Sequence, residues 1–275
     1  MEYMEYYDAT KLDAFASCPR KFWWRYVEKI EPIASPLWKP WGRAIHKGLE
    51  SLYTYHSIDL AVAEFDVAWA EGSQGEEDKT HTGEGGVSLL RAYHKHYFPE
   101  RYYSEVTEVK MSAILNVPED ILYLGYVDLL ARDLLFPGLI LLDHKTAGKR
   151  PATGITEVNS PQLTGYVWLA EQSTGERPKA YLNYLINTKV PQFERLPLAE
   201  GGAAQQEQWK ENVVAQVRAI RRMQSFEEFY QARGSCSFFG KCEFDDLCCA
   251  PKGQRLKLIS EFYQPKKGRG DGKEE

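Results

Sequence analysis

The sequence predicts an α/β protein in which a mixed central β-sheet is flanked by helices. Three observations predict it. Between residues 104 and 145 the apolar residues fall into three short runs, SEVTEVKMSAILNV, ILYLGYVDLLARD and LILLDHKT, with a turn signal at Pro137 and Gly138 before the third. Apolar runs of this length bounded by turn residues read as strands. A helical stretch over 161–172 then leads to a fourth strand, KAYLNYLINT, and a shorter fifth over 192–196. Three strands, a helix and further strands give a mixed sheet. Amphipathic helical segments precede and follow this region.

Residues 8–30 read as helical, with Asp8 or Thr10 as cap and Leu12, Phe15 and Ala16 as the apolar stripe. Pro19 is best tolerated in a first turn, so the Cys18-Pro19 step divides this stretch into two short helices. A helix over 42–55 turns Ile45, Leu49, Leu52 and Tyr53 inward. Helices over 60–70 and 87–97 flank a Gly- and charge-rich stretch, 71–86, which reads as a mobile loop or short linker. After the strands, an amphipathic helix over 203–232 carries Trp209, Val213, Val217, Ile220 and Met223 on one face. The expected organisation is a single domain over 1–263: an N-terminal helical part (1–100), a core (101–200) and a C-terminal helix with a cysteine cluster (201–263). Residues 264–275 lack apolar anchors and read as a disordered tail.

Of the 275 residues 43% are apolar, which excludes disorder except at the ends. No stretch reaches the roughly 20 apolar residues of a membrane span. Asp128, Arg132 and Asp133 interrupt the most apolar region. The start, MEYMEYYD, is acidic and has no apolar leader, so the expected location is the cytoplasm. A net charge of −5 argues against a protein that coats nucleic acid. It leaves room for a nuclease, whose carboxylates lower the count while local basic groups bind. Arg20, Lys21 and Arg25 form one such group, and Arg218, Arg221 and Arg222 another; each reads equally well as a solvated helix face.

The chemistry concentrates in GYVDLLARDLLFPGLILLDHK, which places Asp128 on one strand and Asp143 and Lys145 on the next. Residues i and i+2 of a strand share a face, so Asp143 and Lys145 stand side by side. Two carboxylates holding a divalent cation, with a lysine beside them, are what phosphodiester hydrolysis requires. A surface ion pair at a strand end gives the same acid-x-Lys pattern. Glu108 lies on the first strand and His46 on the 42–55 helix. A neutral imidazole among carboxylates suits Mn²⁺, although a lone histidine is also a common structural residue. Gln162 and Tyr166, four apart, share a helix face on which they line a nucleic-acid groove or, for Tyr166, fill the core.

Five cysteines in a reducing compartment point to metal rather than disulfides. Cys236, Cys242 and Cys248 recur in CSFFGKCEFDDLC with five residues between each, Cys249 follows, and the remote Cys18 is the fourth partner. Such thiolates suit Zn²⁺ or an iron–sulfur cluster, and buried reduced thiols are the plain alternative. Cys249 is either a spare thiol or a replacement for Cys248.

Taken together, these pieces resemble the PD-(D/E)XK nuclease superfamily, in its iron–sulfur branch. That branch includes CRISPR-adaptation nucleases, the nuclease domain of the bacterial AddB subunit and phage exonucleases. FASCPRKFWWRYV resembles its Cys-Pro helix, GRAIHKGLE its His-bearing helix, GYVD and LLDHKT its two acidic motifs, QLTGY its Gln-x-x-x-Tyr motif, and the last three cysteines its cluster triplet. The resemblance implies a restriction-endonuclease-like core whose N- and C-terminal helical parts are joined by a four-cysteine cluster. It implies Mg²⁺ or Mn²⁺ on His46, Asp128, Asp143 and the backbone carbonyl of His144, with Lys145 catalytic and Glu108 an auxiliary acid. Gln162 and Tyr166 would position DNA, and Cys18, Cys236, Cys242 and Cys248 would hold a [4Fe–4S] cluster, with Zn²⁺ as the alternative. The implied substrate is DNA, single-stranded or with free ends, cut by an exonuclease of recombination, repair or CRISPR adaptation, with a helicase, integrase or recombinase as partner. Two departures stand out: the SFFGK spacer between Cys236 and Cys242, and Val127 where the superfamily's name has proline. The competing readings are a catalytically silent DNA-binding or docking module on the same fold, and a Zn²⁺-stapled RNA-binding protein.

Overall fold

The structure is a computed structural model that describes residues 6–135, 137–150, 157–199, 202–237 and 240–266. These fall into two compact units, one built on residues 36–209 and the other on 7–35 with 210–266. In the first unit, helices α1 (Trp38–Tyr55), α2 (Ile58–Ser73) and α3 (Gly83–Tyr97) precede strands β1 (Tyr102–Asn116), β2 (Ile121–Asp133) and β3 (Leu139–Ala147). Helix α4 (Pro161–Thr174) and strands β4 (Lys179–Ile186) and β5 (Gln192–Pro197) follow. The α/β class and the mixed sheet are as expected. Strand order is β1-β2-β3-β4-β5, antiparallel except where β3 runs parallel to β4 across the α4 crossover.

Helices α2, α3 and α4 start where Ser57, Thr82 and Ser160 accept the amide N–H three residues on. Helix α1 begins at Trp38, a turn earlier than its periodicity suggested, because Pro40 is tolerated in a first turn. The stretch expected as a mobile loop, 71–86, is mostly ordered. Helix α2 runs on to Ser73 and α3 begins at Gly83. Between them Asp78 accepts the N–H groups of Thr80 (2.7 Å) and His81 (2.8 Å), and Glu77 accepts that of Gly83 (2.7 Å). Side-chain capping thus orders a segment with no apolar anchors.

Strands β2 and β3 are buried along almost their whole length, as central strands covered on both faces are. Trp41, Ile45, Leu49 and Leu52 of α1, Phe65 of α2 and Leu89, Leu90 and Tyr93 of α3 pack with Leu129 and Leu142 of the sheet. Helix α4 packs against the sheet just as tightly. A Cβ on Gly125 would stand 2.7 Å from the Tyr166 ring and 2.9 Å from Leu169, so only glycine lets α4 approach β2 at that point.

The second unit joins the two ends of the chain. Helix Ala9–Ser17, capped by Asp8, gives way at Cys18 to Pro19–Phe22 and a π-helical turn, Trp23–Val27. Strand Ile30–Pro32 pairs antiparallel with Tyr263–Pro265, and Trp24, Ile30, Phe244, Leu247 and Tyr263 form a small core. The helix expected over 203–232 is Gly202–Arg222, ending where Glu228 accepts the N–H of Ser225 (2.9 Å). Gln264 and Pro265, expected in the tail, are ladder residues, and 267–275 lie outside the described residues. Among the described residues no helix is long and apolar enough to cross a membrane.

The Gly125 contact makes a prediction. Gly125→Ala forces Tyr166 and Leu169 back and lowers stability by about 1–3 kcal/mol, as overpacked cores do. Urea unfolding of the variant beside wild type measures it.

Candidate metal and nucleolytic site

The site lies where the sheet forks. The β2–β3 ladder runs from Arg132 opposite Leu139 to Leu129 opposite Leu142 and ends there. The next two residues in register are Asp128 and Asp143. From Asp143 onward β3 stays with β4, through Ala147 opposite Ile186, while β2 stays with β1. The His144 N–H lies beyond the end of that ladder, and it donates to Asp128 Oδ2 at 2.6 Å. Both carboxylates are buried, Asp128 at 6% and Asp143 at 2% exposure.

Two further groups close on Asp128. His46 of α1 brings Nδ1 to 3.5 Å from Asp128 Oδ1 and 3.6 Å from Glu108 Oε1. One ligand atom from each of His46, Glu108 and Asp128 lies within 4.8 Å of the others, a set able to hold a metal ion. Glu108 sits in the middle of β1 with φ 47°, in the left-handed region. A non-glycine residue there costs of order 1–3 kcal/mol, and such strain gathers at functional sites. The sequence brought His46, Asp128 and Asp143 forward as ligands and left Glu108 auxiliary; the geometry groups Glu108 with His46 and Asp128.

On the β3 side Lys145 Nζ is 2.7 Å from Asp143 Oδ2. It also donates to Gln162 Oε1 at 3.0 Å, and Gln162 Nε2 in turn donates to the Tyr166 hydroxyl at 2.9 Å. Tyr166 is buried at 5% exposure, and the Gln-x-x-x-Tyr pair is linked to Lys145 through Gln162. The His144 side chain is buried too, and its Nδ1 meets Asn183 Nδ2 at 2.7 Å. Sequence reasoning singled out neither Asn183 nor its neighbour Arg195. The available signal was a polar residue in the middle of the apolar run KAYLNYLINT.

The electrostatics follow from burial and proximity. Burial opposes the His46 imidazolium, but Asp128 and Glu108 outweigh it and hold its pKa at about 10. Burial likewise opposes the Asp128 carboxylate, and His46 more than reverses the effect, pulling its pKa below the usual range. Asp143 moves upward because of burial, with Lys145 pulling against the shift. Burial works against the Lys145 ammonium, and Asp143 restores it. His144, buried without a carboxylate of its own, falls to about 3 and is neutral.

The cysteines all belong to the second unit. Burial raises the thiols of Cys236, Cys242 and Cys248, and each is raised further by Cys18. Cys242 adds to the shifts of Cys236 and Cys248. The SFFGK spacer is bridged by a 2.8 Å bond from Cys242 N–H to the Cys236 carbonyl. The Ala232 N–H donates to Cys18 Sγ at 3.4 Å, and the Trp24 indole favours the Cys248 thiolate. Cys249 is exposed and 3.8 Å from Asp245 Oδ1.

With this geometry in view, the similarity to known proteins is informative. The family model of the PD-(D/E)XK nuclease superfamily matches residues 9–249, spanning both units. No curated protein matches the chain. A crystal structure named "Putative exonuclease" from Eubacterium rectale shares the fold, with a TM-score of 0.53 over 89% of this chain and 87% of that one at 12% identity. The chain belongs to the PD-(D/E)XK nuclease superfamily and has its restriction-endonuclease-like fold.

Proposed function

We propose that the protein is a metal-dependent deoxyribonuclease, an exonuclease acting on single-stranded DNA or DNA ends, and that the forked strands carry its active site. The observation behind this reading is the meeting of His46, Glu108 and Asp128 beside the Asp143–Lys145 pair. The donor set of one imidazole and hard carboxylate oxygens suits Mn²⁺ or Mg²⁺, with His46 favouring Mn²⁺. Asp128, Asp143 and His46 would hold the ion, the His144 carbonyl would add a ligand, and Glu108, within reach of His46 Nδ1 beside Asp128, would be an auxiliary acid. Such an ion supplies a polarised phosphate and a water acidic enough to attack at neutral pH.

The chain's own groups do the rest. Lys145, held between Asp143 and Gln162, donates toward the charge that builds on the phosphorane oxygens. The Gln162–Tyr166 pair aims that ammonium, and so positions DNA through the lysine. Burial of both aspartates keeps bulk water from weakening these fields. In the second unit, Cys18, Cys236, Cys242 and Cys248 would hold a [4Fe–4S] cluster as a staple between the chain ends, with Zn²⁺ as the other candidate. A metal staple of this kind supplies on the order of 10 kcal/mol of folding free energy. The E. rectale neighbour's name supports the exonuclease choice, and recombination, repair and CRISPR adaptation are the pathways in which such a chain would meet a helicase, integrase or recombinase.

Three outcomes test this. End-labelled single-stranded DNA with Mn²⁺ or Mg²⁺ is degraded by wild type, not by Asp143→Ala, and about 10²–10³-fold more slowly by Lys145→Met. Folded wild type that binds DNA and never cuts it would instead be the silent module. Protein purified without oxygen is brown and carries iron, whereas Cys242→Ala is colourless and less stable; a soluble, active, metal-loaded Cys242→Ala protein sinks the staple. The third outcome concerns pH. His46 titrates at 6.5 when free and at about 10 in the folded chain. The stabilisation from its proton is therefore complete below pH 6.5 and is lost as pH rises toward 10. A metal ion competes with that proton, so the rise in melting temperature that Mn²⁺ gives over EDTA grows as pH rises from 6.5. A rise that is flat or shrinks with pH removes His46 from the ligand set.

A further inference from the structure

Behind the fork, three residues stand in one row across three strands. In register, His144 of β3 is opposite Asn183 of β4, and Asn183 is opposite Arg195 of β5. Asn183 is 0% and His144 3% exposed, and the Arg195 side chain only 13%. A buried arginine in a sheet needs partners for its charge. Arg195 Nη2 donates to Glu100 Oε2 (2.5 Å) and to the hydroxyls of Tyr53 (3.0 Å) and Tyr93 (3.2 Å). Its Nε donates to Asn183 Oδ1 at 3.3 Å.

Donor–acceptor logic then fixes the orientation of Asn183 and the role of His144 Nδ1. Arginine has no acceptor, so the atom of Asn183 facing it is the oxygen and the amide nitrogen faces the other way. That nitrogen lies 2.9 Å from the Tyr93 hydroxyl and 2.7 Å from His144 Nδ1. Tyr93 receives from Arg195 and Asn183, so its own proton goes to the Tyr53 hydroxyl at 2.7 Å. Tyr53 passes its proton to Glu100 Oε2 at 3.2 Å, where the chain of donors ends on a carboxylate. His144 Nδ1 is left only the acceptor role, and its single proton sits on Nε2. The Tyr53 ring also stacks on the His144 imidazole, with centroids 5.8 Å apart and planes 19° from parallel.

We infer that Asn183 and Arg195 are positioning residues of the nucleolytic site: they clamp the His144 imidazole, and through it the peptide whose N–H holds Asp128 and whose neighbours are Asp143 and Lys145. The inference rests on the nuclease reading only for its effect on cleavage. The clamp matters at this place because the β2–β3 ladder ends two residues earlier, at Leu142, and the bond from β2 to the His144 peptide comes from the Asp128 side chain. A network of this kind orients ligands from behind, and its loss weakens metal binding by about 10- to 100-fold.

Nitrogen-15 NMR of histidine-labelled wild type is the first arm. It should show one imidazole, assigned through His144→Gln, with a protonated Nε2 and a bare Nδ1; a protonated Nδ1 overturns the proposal. The second arm is Asn183→Leu, with Arg195→Lys beside it in case the leucine variant does not fold. Calorimetry should show Mn²⁺ affinity lowered by about 10- to 100-fold, and cleavage should show kcat reduced with KM for DNA unchanged. A folded variant with a lower melting temperature but wild-type Mn²⁺ affinity and kcat would make the row purely structural and overturn the inference. If wild type binds Mn²⁺ without cutting DNA and the variants still bind it more weakly, the nuclease reading falls and the clamp stands.

Discussion

The bond from the His144 N–H to Asp128 Oδ2 is the interaction around which the rest of the first unit is arranged. A sheet whose ladder ends inside the core leaves peptide groups without partners, at a cost of about 1–3 kcal/mol each when buried. Here the side chain of one strand stands in for the missing ladder bond. That substitution lets β2 and β3 diverge while both remain buried. The divergence in turn gives two carboxylates a place that hydrophobic packing alone would have closed. Helix α1 then contributes His46 from the same element whose Ile45 and Leu49 are fully buried, so the imidazole is fixed by the core beneath it.

The tight packing around the fork is what makes the placement reproducible. Gly125 admits the Tyr166 ring, Tyr166 orients Gln162, and Gln162 orients Lys145. The motif residues of α4 thus connect to Lys145 through two hydrogen bonds. On the opposite side, the Arg195 row fixes the His144 peptide from β4 and β5. The strand bearing Asp143 and Lys145 is thus held from both sides of the sheet.

Much of this was legible in the sequence where burial alone decides structure. Strands β2 and β3 are almost uniformly apolar, so Asp128, Asp143 and Lys145 stand out against them and their pairing follows from the Pro137-Gly138 turn. Capped ends were less legible. The 71–86 segment looks mobile by composition, and its order comes from Asp78 and Glu77 accepting backbone N–H groups, which periodicity does not register. The helix expected to reach residue 232 ends at Arg222 for the same kind of reason. Glu108 was visible as an acid on a strand, but its approach to His46 depends on a left-handed backbone that no residue preference for glutamate foretells. Asn183 shows in the sequence only as a polar residue inside an apolar run, and its pairing with Arg195 lies in cross-strand register, which two strands separated by a turn reveal only once paired.

Charge balance accounts for why one small space gathers so many ionisable groups. Three carboxylates, Glu108, Asp128 and Asp143, face a single permanent cation, Lys145. Buried charge of one sign is unstable unless compensated. A proton on His46 compensates in part, which is the physical content of its high pKa. On the nuclease reading a divalent cation held by these residues would compensate fully, since its two charges with that of Lys145 match the three carboxylates. The same set that is under-neutralised with a proton is therefore neutral with Mg²⁺ or Mn²⁺, and it becomes short of negative charge only when one carboxylate is protonated. The neutrality of His144 fits this scheme, because a second imidazolium beneath the fork would repel the ion that the carboxylates attract. The acceptor role that Asn183 leaves to His144 Nδ1 keeps that imidazole uncharged, so the hydrogen-bonded row and the charge count require the same protonation state.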